Sequence, residues 1–253
     1  MRIEGTSAVV TGGGSGLGEA TARLLAKLGA VVHVFDRNQA AAEKVAGEIG
    51  GVALSGDVTS EDDAAKALDV AAKAGDGLRI LVNCAGIGTA GRIVGKNGPM
   101  PLADFERVIR VNLVGTFNML RLAAERMSGL PEREDKARGV IVNTASVAAF
   151  EGQIGQAAYA ASKGGIVSLA LPAAREFSRF GIRVNTVAPG IFLTPLLYEL
   201  PQEAQDSLAA AIPYPSRLGD PGEFADAVRF VIENHYINGE VIRLDGALRM
   251  QPR

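Results

Sequence analysis

The sequence predicts a single α/β domain built on a seven-stranded parallel sheet with helices on both faces. Three observations lead there. Seven short runs, at 7–11, 31–35, 51–55, 79–83, 139–145, 182–188 and 240–244, are continuous in apolar residues and rich in Val and Ile. Strands buried on both faces read that way, whereas half-exposed strands alternate. Amphipathic stretches near 17–29, 38–49, 60–74, 102–128, 157–180 and 221–233 separate the runs. Such alternation implies parallel pairing with helices packed on both sides. Together the two sets use up the 253 residues, so one domain spans 1–253.

The first run leads into TGGGSGLG (11–18), which opens the first long helix. Gly12 suits the tight turn, Gly16 lets backbone approach a pyrophosphate, and Gly18 permits close helix–sheet packing. The helix start adds free N–H groups and the positive end of a dipole. Glycines alone would be a weak signal, but a turn set between strand and helix is the context that a dinucleotide site needs. Asp36 ends the second run, in VVHVFDRN. A carboxylate there binds the ribose hydroxyls of an adenosine and repels a 2′-phosphate, which favours NAD over NADP. It also suits the start of the next helix. Arg37 beside it is the one residue that favours a phosphate.

The fourth run ends in NCAG (83–86), which carries the only cysteine, Cys84. Its plainest role is that of a small apolar residue against a ligand. A Gly- and Pro-rich loop, 87–101, follows, and the 102–128 helix carries Asn112 in RVNLVGTF. A charged surface connection, 128–139, precedes the fifth run. Just beyond that run stands Ser146, whose hydroxyl is placed to hold a substrate oxygen. YAASK (159–163) then puts Tyr159 and Lys163 at i and i+4 on one helical face. An ordinary phenol titrates near ~10 and is a poor base, but an ammonium within reach lowers its pKa and brings general acid–base work near neutral pH. Taken singly, each residue has a bland reading: Asn112 bonded to core backbone, Ser146 capping a turn, Tyr159 and Lys163 on a helix surface. In this order along the chain they read as one device. The segment 190–217 places Ile191, Phe192, Leu193, Leu196, Leu197 and Leu200 between prolines, as a short apolar helix suited to closing over a substrate.

The totals exclude other classes. One cysteine rules out an internal disulfide, and His33 and His235 lie far apart, so no metal site is expected. A net charge of −2 argues against nucleic acid as a partner. No run approaches 18 apolar residues, so no membrane span is expected. A strand-like run begins within the first ten residues, which gives a cytoplasmic protein as the expectation.

The glycine turn, NCAG, Asn112, Ser146, YAASK and APG (188–190) together resemble the short-chain dehydrogenase/reductase family over the whole chain. The resemblance implies a single-domain Rossmann fold and metal-free hydride transfer with NAD. It makes Tyr159 the group that moves the proton, with Lys163 tuning it and binding the nicotinamide ribose. Ser146 would orient the substrate oxygen, and Asn112 would hold a water that links Lys163 to solvent. It also places cofactor contacts at Ser15, Leu17, Asp36, Asp57, Val58, Cys84, Tyr159, Lys163, Phe192 and Thr194, beside the glycines. Gln156, one turn before Tyr159, is expected to help hold the substrate. The reaction implied is oxidation of an (S)-3-hydroxyacyl-CoA thioester to the 3-oxoacyl-CoA by a homotetramer. Two rivals stay open: an NADPH-dependent 3-oxoacyl-carrier-protein reductase or hydroxysteroid dehydrogenase of the same family, and a dinucleotide-binding scaffold without turnover.

Overall fold

The computed structural model describes residues 1–88, 90–198 and 201–252. The seven apolar runs form β1 (Ser7–Thr11), β2 (Val31–Asp36), β3 (Val52–Ser55), β4 (Leu78–Asn83), β5 (Gly139–Thr144), β6 (Ile182–Pro189) and β7 (Val241–Leu244). They lie in one sheet in the order β3-β2-β1-β4-β5-β6-β7, parallel throughout. The winding reverses between β1 and β4, which opens a crevice at their carboxyl ends.

Successive strand residues feed opposite cores, as the period of two requires. Val10 and Val82 join α1 (Gly16–Lys27), α2 (Gln39–Ile49) and α9 (Pro221–Glu233) on one face. Val9 and Leu81 join α3 (Glu61–Ala72), α5 (Gly115–Ser128) and α6 (Ala157–Phe177) on the other. Fully burying each such side chain contributes about 1.5–3 kcal/mol, so the two layers together fix the sheet between helices.

The 102–128 stretch is one helical rod with a flaw in it. α4 (Leu102–Ile109) passes through a π-helical turn, Arg110–Val114, before continuing as α5. Asn112 sits inside that turn, fully buried. Nothing in the helical periodicity signals the extra residue.

The 190–217 segment departs from expectation. It is not one apolar helix but two short ones, α7 (Pro195–Tyr198) and α8 (Gln202–Ala210). Pro201 stands at the start of α8, where a proline, lacking an N–H, is tolerated. Phe192 is 7% exposed and packs edge-on to Phe224, centroids 6.4 Å apart, so it anchors the segment to the core. Leu200 and the side chain of Leu196 lie outside the described residues. The loop 87–101 contains an unforeseen two-residue hairpin, Val94–Gly95 with Gly98–Pro99. The charged connection 128–139 is fastened by arginine: Arg138 donates to the carbonyls of Leu130 (2.8 Å) and Phe180 (3.0 Å). Among the described residues, no helix is long and apolar enough to cross a membrane.

His33, in β2, is buried, with Nδ1 3.3 Å from both Ser7 Oγ and the Ala8 carbonyl and with Nε2 meeting no hydrogen-bond partner among the described residues. Burial pushes its pKa below the ordinary 6.5. The unfolded chain therefore takes up a proton near pH 6.5 that the folded chain refuses. This group's contribution is complete above that pH and declines as pH falls through it toward the lower folded value. Urea melts of His33→Leu should show a shallower loss of stability between pH 7 and 5 than the unaltered protein. Equal slopes would mean that His33 does not titrate on unfolding.

Candidate active site

The crevice begins at the glycine turn. Gly12 and Gly16 both take positive φ, +62° and +54°. A Cβ on Gly12 would stand 2.9 Å from the Ala85 backbone, and one on Gly18 would collide with the Gly12 carbonyl. Thr11 Oγ1 accepts from the amides of Cys84 (3.2 Å) and Ala85 (3.1 Å), locking the ends of β1 and β4 together beneath this turn. α2, α3 and α9 are capped by the side chains of Asn38, Ser60 and Asp220, but Ser15 gives α1 no such cap. The first N–H groups of α1 are therefore not claimed by a capping side chain, an arrangement that suits an anion.

Asp36 is held in place by two amides. Oδ2 accepts from Gly14 N (3.0 Å) and Oδ1 from Asn38 N (2.9 Å), which orients the carboxylate at one end of the crevice. The crevice, of about 450 Å³, brings together Gly12, Ser15, Gly16, Leu17, Gly18, Asp36, Asp57, Val58, Cys84, Tyr159 and Thr194. A cradle without side chains, an uncapped helix start and an oriented carboxylate are the features a dinucleotide fits. Arg37 lines the same end, and Phe35, Gly56, Ala85, Gly86, Ile87, Val111 and Pro195 complete the wall. Of these, Ala85 and Gly86 belong to NCAG, Ile87 follows it, Val111 adjoins Asn112 in RVNLVGTF, and Pro195 comes after APG. Phe192 is not among the lining residues, because its ring turns into the core.

The groups the sequence singles out for chemistry converge at the other end. Ser146 Oγ accepts from Ala148 N (3.2 Å), and its hydroxyl is close enough to the Tyr159 phenol to act on its titration. Lys163 is 5% exposed and donates from Nζ to the Thr144 carbonyl at 2.8 Å, lying 5.7 Å from the Tyr159 ring centre. Here the electrostatics differ from the expectation. Burial pushes the Tyr159 phenol above its usual value, with the Ser146 hydroxyl only partly offsetting it. Burial likewise pulls Lys163 down to about 8. The ammonium is aimed at a backbone carbonyl, so desolvation outweighs charge pairing for both groups.

Asn112 spends its side chain on structure: Oδ1 accepts from Ile87 N (2.8 Å), and Nδ2 donates to the Ile87 carbonyl (3.0 Å) and to Ser162 Oγ (3.0 Å). The side-chain amide is thus bonded to core backbone and to a neighbouring hydroxyl. Its backbone carbonyl accepts from Thr116 Oγ1 at 2.7 Å. Gln156 turns back toward its own loop, with Oε1 accepting from Gln153 N (3.0 Å). Cys84 receives a hydrogen bond from Thr144 Oγ1 (3.5 Å), and burial pushes its thiol up to about 11, so it is no nucleophile.

Comparison with known proteins places this geometry. Residues 6–205 match the model of the short chain dehydrogenase family. The 3-hydroxyacyl-CoA dehydrogenase type-2 of Rattus norvegicus is 51% identical over 254 aligned positions, covering 99% of this chain and 97% of that one. The Drosophila melanogaster protein of the same name is also 51% identical, covering 99% and 100%. A crystal structure of 3-hydroxyacyl-CoA dehydrogenase type-2 from Mycobacterium avium superposes with a TM-score of 0.95 at 46% identity, covering 98% of each chain. With the family's model matched over most of its length and relatives of this identity from end to end, the chain belongs to the short chain dehydrogenase family.

Proposed function

We propose that this protein oxidises (S)-3-hydroxyacyl-CoA thioesters to 3-oxoacyl-CoA with NAD, using Tyr159 as general acid/base. The observation that carries the reading is the Tyr159 phenol lining a crevice fit for a dinucleotide, with Lys163 beside its ring and the Ser146 hydroxyl acting on it. The full-length relatives named for 3-hydroxyacyl-CoA support the substrate class. Bound there, NAD would supply the hydride acceptor for the substrate's C3 hydrogen. Ser146 orients the hydroxyl oxygen, and Tyr159 takes its proton as the carbonyl forms. A phenol raised by burial needs positive charge nearby to ionise, and Lys163 is the protein's own source. The Asn112 position, one helix away from Lys163, would hold the water that links Lys163 to solvent. Asp36 binds the adenosine ribose, with Ser15, Leu17, Asp57, Val58, Cys84 and Thr194 along the rest of the coenzyme, while Gln156 helps hold the substrate. Initial rates with NAD on acetoacetyl-CoA-type and steroid substrates, compared side by side, test the reading. Faster turnover of the steroid would overturn it. Arg37 at the adenosine end favours the rival NADPH reading, and rates with the two coenzymes separate them.

Residues 190–217 act in this proposal as a substrate lid hinged on the buried Phe192. Leu197→Ala should raise KM for long acyl chains more than for a four-carbon one, since each lost methylene contact is worth ~0.8 kcal/mol. Equal effects at all lengths would make the residue part of the scaffold. We further propose a homotetramer. Phe117 and Leu102 on the α4–α5 rod, and Phe150 and Ile154 beside the C-terminal tail, are exposed apolar side chains of the kind that interfaces cover. The tail itself folds onto its own chain, with Leu248 buried. Light scattering at low micromolar concentration should give four chains, and a monomer would refute the assembly.

A further inference from the structure

Between Ser146 and Tyr159 the chain makes a short turn, Val147–Ala149, and then a loop, 150–156, before α6 begins. That loop presses on the helix turn carrying Tyr159, because a Cβ on Gly152 would stand 2.9 Å from Ala160 Cβ. From its outer side the loop is gripped by the last strand and the tail. Glu151 takes a bidentate hold on Arg243 of β7, Oε1 to Nη1 at 2.8 Å and Oε2 to Nη2 at 3.2 Å. The same carboxylate pairs with Arg249 Nε (3.4 Å) and accepts from Met250 N (3.1 Å). Two rungs follow: Gln153 Nε2 donates to the Gln251 carbonyl (3.0 Å), and Ile154 N donates to the Pro252 carbonyl (3.1 Å). On the inner side, Gly91 N donates to the Gly155 carbonyl at 2.8 Å.

We infer that Glu151 is a positioning residue, the hub of a brace in which β7 and residues 249–252 set the loop between Ser146 and Tyr159. The inference rests on the reading of that hydroxyl pair as the reacting groups. Its logic is mechanical. Arg243 is itself fixed, donating from Nε to Asp245 Oδ2 (2.8 Å) and from Nη2 to the Leu248 carbonyl (3.1 Å), with its guanidinium over the Phe150 ring at 5.2 Å. A bidentate arginine–carboxylate pair defines direction as well as distance. Arg243 also holds the Glu151 carboxyl below the usual range, so the hub stays ionised wherever the enzyme works. None of Glu151, Gln153, Arg243 or Gln251 belongs to the buried apolar cores. Losing the brace should therefore leave the fold standing and let the loop shift, which changes how Ser146 and Tyr159 face a substrate oxygen.

The test compares Glu151→Ala and Glu151→Gln with the unaltered enzyme in the presence of NAD and a four-carbon hydroxyacyl thioester. Glu151→Ala should lose roughly 10- to 100-fold in kcat, the scale of a misplacement near 1 Å, with NADH affinity and thermal midpoint little changed. Glu151→Gln, which keeps an oxygen able to accept from Met250 N, should recover part of the loss. An unchanged kcat would overturn the brace. So would a loss matched by an equal fall in the number of NADH-binding sites, since that marks a merely structural role. If the unaltered protein turns over no such thioester, the proposed activity fails by itself. The brace then stands or falls on whether Glu151→Ala alone speeds hydrogen exchange at amides 157–163.

Discussion

Tyr159→Phe is expected to lose ~10²–10⁴-fold in turnover, about 3–5 kcal/mol of barrier, while still binding NADH. The size follows from what remains in the site. Ser146 is a hydroxyl already engaged with Ala148 N. Lys163 aims its ammonium at the Thr144 carbonyl rather than at the substrate side. Removing the phenol oxygen leaves no group placed to receive the proton, yet it leaves the glycine turn and Asp36 untouched, so coenzyme affinity should hold. Single-turnover mixing with fluorescence of bound NADH separates the two quantities. A variant that keeps near-normal turnover would remove Tyr159 from the chemistry.

Asp36→Ala carries the second large effect. The carboxylate is oriented by Gly14 N and Asn38 N before any ligand arrives. Hydrogen bonds from ribose hydroxyls to a fixed anion are worth about 1.5–3 kcal/mol each, and the same anion repels a 2′-phosphate. Truncation should thus weaken NAD roughly 10²–10⁴-fold and relieve NADP, narrowing the preference from both sides. Arg37, next in sequence and at the same end of the crevice, should strengthen the relief. An unaltered protein that uses both coenzymes equally well would show that the carboxylate does not choose between them.

Much of the architecture was legible because burial on both faces leaves a plain mark. The runs at Val31–Asp36 and Ile182–Pro189 are short and rich in Val for the same reason they lie inside the sheet. The glycine turn was legible because backbone conformation and close approach demand that residue at Gly12 and Gly18. What escaped depends on distant neighbours. Phe192 reads as one more apolar residue of a lid, and only the presence of Phe224 across the core turns it inward. The i,i+4 spacing correctly put Tyr159 and Lys163 on one face, yet it carried no information about Thr144, the carbonyl that claims the ammonium. The direction of the phenol's shift was missed for that reason: desolvation is a property of the whole surroundings.

The π-helical turn at Arg110–Val114 has a consequence for the phase of the long rod. A π turn takes in one residue more than an α turn, and each α-helical residue advances the helix by about 100°. α5 is therefore wound a residue's worth out of step with α4. That offset lets the first half face α6 while the second half faces α3 and β4. Deleting one residue within 110–114 would restore a continuous α-helix and swing the Met119, Ala123 and Met127 stripe off the sheet. The extra residue thus works as a clutch between two faces of one rod, and Asn112 rides at the point of slip.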